Sequence, residues 1–450
     1  VEQGMRYHMK IVKKIIIPIL IIGTVCLHGE TVKSPGKIHY KQYLKEYKAE
    51  KDALQNDHNM SKKGSEAITL NELLQSALLN NPELKFFAWD VEGKDALVLQ
   101  SRKMSNPELE TELENAGIDA FSISIGQLIE LGGKRSSRIA LAKLDKNASV
   151  WEYEIKRLQL LVESGQQFIL TLQSQQLIDL LSKSIEYAEK SFQTAQERIE
   201  AGAASQIDIF QTQKDLELTV LEHEKALNHY DLQLNLLATY TGDMQHSFSY
   251  VSGELKEPQS IPSFDNMVAK ISQSPDMTAW MIRSEMLKVM EKNAKAQGVP
   301  DVSVSAGYAR ENATGSNTFL MGFSLPLPLF DRNKGNVTET RINTYRSLFE
   351  KQVLELKIYQ EFLEKYTQFK NTFEEVHTYS RSILPLAGAT YKEAQLFYTT
   401  GRISSMELLN YQRELLENEK YYIDLVSEFY LLKYDLELLI GSEIRIETGE

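Results

Sequence analysis

Four glutamates, Glu108, Glu110, Glu112 and Glu114, alternate with Leu109, Thr111 and Leu113. Alternate residues of a strand point to opposite faces, so this spacing puts four carboxylates on one side and an apolar stripe on the other. A wall of carboxylates favours cations in passage, and it is also the ordinary solvated face of a strand. Two more acids stand in a phrase used twice, "EAGAASQIDIF" (200–210) and "TTGRISSMELL" (399–409). Gly202 answers to Gly401, Ser205 to Ser404, Asp208 to Glu407 and Phe210 to Leu409. Ser-x-x-Asp and Ser-x-x-Glu are capping boxes, in which the acid reaches back to an unpaired backbone N–H. Glycine in front of each can end the preceding helix in the left-handed conformation. Each phrase therefore predicts the turn of a helical hairpin.

Other chemistry is absent from the pattern. Beyond residue 30 the histidines are His39, His58, His223, His229, His246 and His377, with no pair at metal-ligand spacing. His223 and His229, six apart, fall on different faces of a helix, and His223 reads as a tolerated core residue. There is one cysteine, Cys26, hence no intrachain disulfide. No Gly-rich loop ending in Lys-Ser/Thr and no HExxH occurs, so no enzyme, cofactor or metal centre is expected. A formal charge of −12 argues against nucleic acid.

The elements that must position these residues follow from periodicity. From Met9, the expected start, the chain reads "MKIVKKIIIPILIIGTVCLHGE", a basic region and a short apolar stretch that predict a signal peptide over 1–29. Cys26 as a lipid acceptor would want a small residue before it, where Val25 stands. Residues 30–66 form a Lys-rich leader. No later apolar run has the length of a membrane-spanning helix. A first unit is expected over 67–255: two short helices, a β-hairpin, a helix from Lys134 to about Arg198, the first glycine turn, and a returning helix. A second unit over 262–445 has the same order, with Pro275 in the place of Pro82 and "FDRNKG" in that of "LGGKRS". Pro385 predicts a kink or break in its long helix. Apolar seams at steps of three and four predict coiled-coil packing: Leu216, Val220, His223, Leu227, Tyr230, Leu234 and Leu237 in the first unit, and Leu408, Tyr411, Leu415, Tyr422, Leu425, Phe429, Leu432, Leu436 and Leu439 in the second. The fold class is thus mainly α with a small β part, a duplicated unit of long coiled-coil helices plus a hairpin.

The strands predict one apolar face made of Leu109, Leu113, Phe121, Ile123, Ile125, Val302, Val304, Tyr308, Phe319, Met321 and Phe323. Hairpins can face lipid only inside a closed barrel, and four strands are too few to close one, so several chains must share it.

The duplicated order, the two GxxS turns and "SNPELETELEN" with "SIGQLIELGGKR" resemble the TolC-like outer-membrane efflux proteins, in their cobalt-zinc-cadmium (CzcC-like) branch. The resemblance runs from about Ile68 to Glu443. It implies a homotrimer forming a 12-stranded membrane β-barrel on a periplasmic α-helical barrel. It implies partners too: a periplasmic adaptor, an inner-membrane efflux pump and outer-membrane lipid. The function implied is a passive duct for heavy-metal cations, and a multidrug or type I protein-export duct of the same architecture is the alternative. A periplasmic coiled-coil adaptor would also carry a signal and a helical hairpin, but not the duplication or the strand pairs. On this resemblance Glu108, Glu110, Glu112 and Glu114 line the lumen. Asp208 and Glu407 form a constriction, unless capping alone accounts for them. Gly202, Ala203, Ala204, Ser205, Gly401, Arg402, Ile403 and Ser404 form tips that dock the adaptor.

Overall fold

The computed structural model describes residues 67–114, 119–244, 248–312 and 314–447. The expected signal peptide and leader lie outside the described residues. The first half runs β1 (Ala67–Thr69), α1 (Leu70–Asn80), α2 (Pro82–Ser101), β2 (Glu108–Glu114), β3 (Ala120–Ile129), α3 (Lys134–Glu200) and α4 (Gln206–Tyr240). The second runs β4 (Tyr250–Ser252), α5 (Phe264–Val268), α6 (Pro275–Gln297), β5 (Val302–Glu311), β6 (Ser316–Ser324), α7 (Lys334–Thr378), a π turn (Tyr379–Ile383), α8 (Leu384–Thr399) and α9 (Ser405–Ile440). The order of the first half thus returns in the second.

Helix α3 has 67 residues, which at 1.5 Å each makes it roughly 100 Å long. It is the spine of the molecule: α1, α2, α4, α6 and α9 all pack on it. Buried serines and threonines line it, among them Ser164, Thr171, Ser184 and Ser191. Small side chains let neighbouring helices come close. Ser184 and Ser191 satisfy their hydroxyls by donating to the carbonyls of Leu180 and Tyr187, at 3.1 and 2.9 Å. A Cβ on Gly165 would come within 2.5 Å of the Tyr434 ring, so the glycine makes room for α9. A polar contact adds to this seam, Gln166 donating to Asp435 Oδ1 at 2.6 Å, and Lys365 of α7 pairs with the same Asp435 at 2.7 Å.

Apolar clusters follow the helix pairs. One joins α1 and α2 to the upper part of α3 through Leu84, Val91, Val150 and Tyr153. Another joins α7 to α9, with Phe369 and Phe429 stacked at 4.6 Å. The coiled-coil seams differ in detail from expectation. The buried line of α4 includes Thr212, Thr219, Ala226 and Gln233, while Leu227 and, on α9, Tyr411 are exposed. Close helix approach selects small side chains for the seam and pushes large ones to its flank. The single short helix expected near residue 264 is only five residues, followed by a 3₁₀ turn over Ile271–Gln273. Helix α2 stops at Ser101, after 20 residues. Pro385 neither breaks nor ends its helix: the π turn just before it widens the coil, and Leu384 N–H bonds back five residues to Tyr379 O.

β1 and β4 form a short parallel pair that ties the start of the first half to the start of the second. The other four strands make one antiparallel sheet in the order β2-β3-β5-β6. Two matched joints connect it to the long helices. Gly133 and Asn333, both left-handed, precede α3 and α7. Lys134 pairs with Asp301 at 2.8 Å, and Asp301 also accepts the N–H of Leu131 at 3.0 Å. Among the described residues no helix is long and apolar enough to cross a membrane.

Candidate functional site: the two-faced sheet and the hairpin tips

The register decides which side chains share a face. Leu109 pairs with Ile125, Ile125 with Ala306, and Ala306 with Met321. The next row is Thr111, Ile123, Tyr308 and Phe319, and a third holds Gln127, Val304 and Phe323. The apolar residues of four separate strands therefore lie on one surface, and Phe319, Met321 and Phe323 are exposed on it. The opposite surface carries Glu108, Gly126, Ser305 and Gly322 in one row and Glu110, Ser124, Gly307 and Leu320 in the next. Glu112 and Glu114 continue the column opposite Ser122 and Ala120. The four acids thus stand in file on β2, with glycine, serine and alanine across from them. The edges of β2 and β6 have no ladder partner among the described residues. An unpaired edge on each side makes the sheet a segment, open to strands from elsewhere.

At the far end, both hairpins turn as their glycines dictate. Gly202 has φ 68° and Gly401 φ 75°, the left-handed region where a Cβ would be strained. The N–H of Ala203 bonds to Arg198 O at 2.7 Å and that of Arg402 to Phe397 O at 2.8 Å, the six-to-one bond of a Schellman motif. Ser205 and Ser404 are the next N-caps, each closed by a capping box. Asp208 Oδ2 accepts the N–H and the hydroxyl of Ser205, both at 2.8 Å. Glu407 Oε2 accepts the same two groups of Ser404 at 2.8 Å.

The two acids nevertheless differ. The other oxygen of Asp208 accepts the buried hydroxyl of Ser405, on the second hairpin. That bond, with those from Ser205 and the field of Arg198, holds the Asp208 carboxyl below the usual range against its partial burial. Glu407 is exposed, and its carboxyl is lowered by the N–H and hydroxyl of Ser404. Arg198, which periodicity did not single out, makes a further link between hairpins. Its Nη1 donates to Tyr398 O at 3.1 Å, and its guanidinium lies 4.6 Å from the Tyr398 ring centroid. Ala203 and Arg402 are exposed at the turns, and Ala204 and Ile403 are half-buried.

The tips also present apolar surface: Ile207 is 64% exposed, Phe210 61% and Met406 50%. Phe210's counterpart Leu409 is only 5% exposed, so the duplicated positions serve opposite surroundings. Composition hid this, because an amphipathic first turn does not say which face a neighbouring hairpin covers. His223 sits within 3.1 Å of the Ser182 hydroxyl, part-buried on α4. Among the described residues no group of three or more His, Cys, Asp or Glu is placed to hold a metal ion.

The chain thus mounts a sheet with one apolar face and one acidic column on helices of unusual length. The chain matches the family model described as outer membrane efflux protein over residues 73–243. It is 23% identical over 377 residues to the cobalt-zinc-cadmium resistance protein CzcC of Cupriavidus metallidurans, covering 83% of this chain and 90% of that one. Its fold is similar to that of CusC, solved in a study of transmembrane channel formation, with TM-score 0.68 and 15% identity over 86% of this chain and 96% of that one. It is equally similar to the outer membrane protein VceC of Vibrio cholerae, with TM-score 0.68 and 17% identity over 83% and 96% of the two chains. Over residues 73–243 the chain thus resembles the outer membrane efflux protein family, and along most of its length it is similar to CzcC.

Proposed function

We propose that three copies of this chain close a twelve-stranded barrel in the outer membrane, continued by a helical barrel into the periplasm, and that the assembly conducts heavy-metal cations outward. The observation that carries this reading is the sheet, apolar on one face, acidic on the other and, among the described residues, unpaired at both edges. Pairing β6 of one copy with β2 of the next removes both edges, which lipid does not tolerate. Exposed apolar side chains also lie on the helices next in chain to those strands: Phe86, Trp89 and Leu97 on α2, which leads into β2, and Phe349, Val353 and Leu356 on α7, which follows β6. Each would be covered by a neighbouring copy. The units 67–255 and 262–445 are read as duplicates, giving six hairpin tips per assembly.

Cation transport is supported by the acidic column and by the likeness to a cobalt-zinc-cadmium resistance protein. In the trimer, Glu108, Glu110, Glu112 and Glu114 would form lumenal rings, and Asp208 and Glu407 a constriction. The tips, from Gly202 to Ser205 and Gly401 to Ser404 with Ile207, Phe210 and Met406, would dock a periplasmic adaptor fed by an inner-membrane pump. The family is one of efflux proteins, and conduction by the duct needs no bond-making residue. Deleting the gene in its host should lower tolerance to cobalt, zinc or cadmium, and the purified protein should form cation-selective pores in planar bilayers. A detergent-free soluble monomer without pore activity would overturn the architecture. Lost drug tolerance with intact metal tolerance would overturn only the cargo.

A further inference from the structure

The segment between the two halves does more than connect them. Gly253 lies against Phe168 and Leu172 of α3. Leu255 packs both on the cluster around Phe168 and Leu234 and on the small cluster of Val376, Leu425 and Val426. The carbonyl of Lys256 accepts the Tyr430 hydroxyl of α9 at 2.8 Å. Glu257 then reaches α7 at its last turn. Its Oε1 lies 2.7 Å from His377 Nδ1, and its Oε2 accepts the Ser380 hydroxyl at 2.6 Å. Gln259 N–H closes the run on Glu447 O at 2.8 Å.

Ser380 is inside the π turn. π turns are weak points of a helix, because one extra residue per turn degrades the bonding ladder. Pro385 removes a further N–H from the ladder just beyond it. Packing also divides at this level. Above it, α7 and α9 share the large aromatic cluster of Phe362, Phe369 and Phe429. Below it, α8 and α9 share a separate one of Tyr391, Tyr398, Leu408 and Leu415. Between them lies a small cluster of three buried aliphatics, ringed by Leu255, Tyr379, Tyr422 and Tyr430. A helix with a weak turn between two independent clusters is built to bend there.

We infer that residues 253–260 are a strap that clamps a hinge at the π turn, with Glu257 as the clasp, and that releasing the clasp lets the lower part of the second hairpin swing at the tunnel mouth. The swing rests on the duct reading, and the clamp itself does not. A strap attached to α3, α7 and α9 at once holds the hinge angle from outside the helix pair. Bending at Tyr379–Ile383 would move α8 and the second tip while the aromatic cluster above stays packed.

The test compares the purified assembled protein with its Glu257→Ala variant and with Glu254→Ala, a neighbouring exposed strap residue. Hydrogen exchange of the 379–384 amides should become roughly tenfold faster in Glu257→Ala, the size expected for losing a hydrogen bond to a charged group. Single-channel conductance should rise with it, and Glu254→Ala should match the parent in both. Should Glu257→Ala fail to assemble, Glu257→Gln keeps the size, removes the charge facing His377 and is read the same way. Unchanged exchange overturns the clamp. Faster exchange at constant conductance overturns the gating role. A parent protein that forms no pore overturns the duct reading, while the exchange result still decides the clamp.

Discussion

Ile125 and Ser124 are adjacent on β3, yet arginine at the two sites should have opposite consequences. Ile125 is in the apolar row with Leu109, Ala306 and Met321, near the middle of the ten-residue strand β3. Arginine at the lipid midplane costs about 2–4 kcal/mol per copy. In the proposed trimer three copies would make roughly 6–12 kcal/mol per barrel, comparable with the whole stability of many domains, about 5–15 kcal/mol. Ser124 lies in the row with Glu110, Gly307 and Leu320. An arginine there meets water and stands directly across from Glu110, a pairing worth about 0.2–1 kcal/mol in its favour. Val304 is a weaker site for the same test, because it lies near the helix-proximal end of β5, where the cost falls to about 0–1 kcal/mol. Outer-membrane fractionation and migration of the unheated oligomer on a gel read the outcome. Ile125→Arg should abolish the membrane oligomer and Ser124→Arg should retain it. Equal tolerance, or failure of Ser124→Arg alone, would refute the assignment of faces.

The tips should loosen in acid. The Asp208 carboxyl is held below its ordinary value, so its contribution is full above the unfolded value of about 3.9 and is lost as pH falls through the lower folded value. Protease sensitivity at residues 198–208 should therefore rise only below about pH 4, and Ser405→Ala should move that onset upward by removing the hydrogen bond that stabilises the carboxylate most. The double variant Asp208→Asn with Glu407→Gln keeps acceptors for both caps while removing the charge. Conductance, cation selectivity and divalent block all unchanged in it would leave capping as the whole role of these acids. Replacing Glu108, Glu110, Glu112 and Glu114 together by Gln should lower cation preference in single-channel recordings, and an unchanged reversal potential would reduce the column to a solvated wall. Gly401→Pro cannot adopt φ 75°, and should abolish adaptor crosslinking while the oligomer persists; normal crosslinking would move the docking surface off the tips.

Much of this molecule was legible in one dimension, because the signals that define it are local. The period of two in "ELETELE" and "AFSISI" depends only on strand pleating, and the register then put the expected apolar residues on one face. The duplicated GxxS phrases encode φ > 0 followed by an N-cap, and Gly202, Gly401, Ser205 and Ser404 adopt that geometry. Long helices follow from long spans without proline. Properties set by partners distant in sequence were not legible. The three-residue strands β1 and β4 are too short for any period and exist only because they pair with each other across some 180 residues. Leu227 had the right spacing for a seam and is exposed, because helix approach, not spacing, selects the seam. Pro385 predicted a disturbance, but whether a helix breaks, kinks or widens depends on the packing at either side. Asp208 and Glu407 looked equivalent until the neighbouring hairpin brought Ser405 to one and left the other in water. Local geometry is written in neighbouring residues; burial and cross-links belong to the chain's return on itself, which no window of sequence contains.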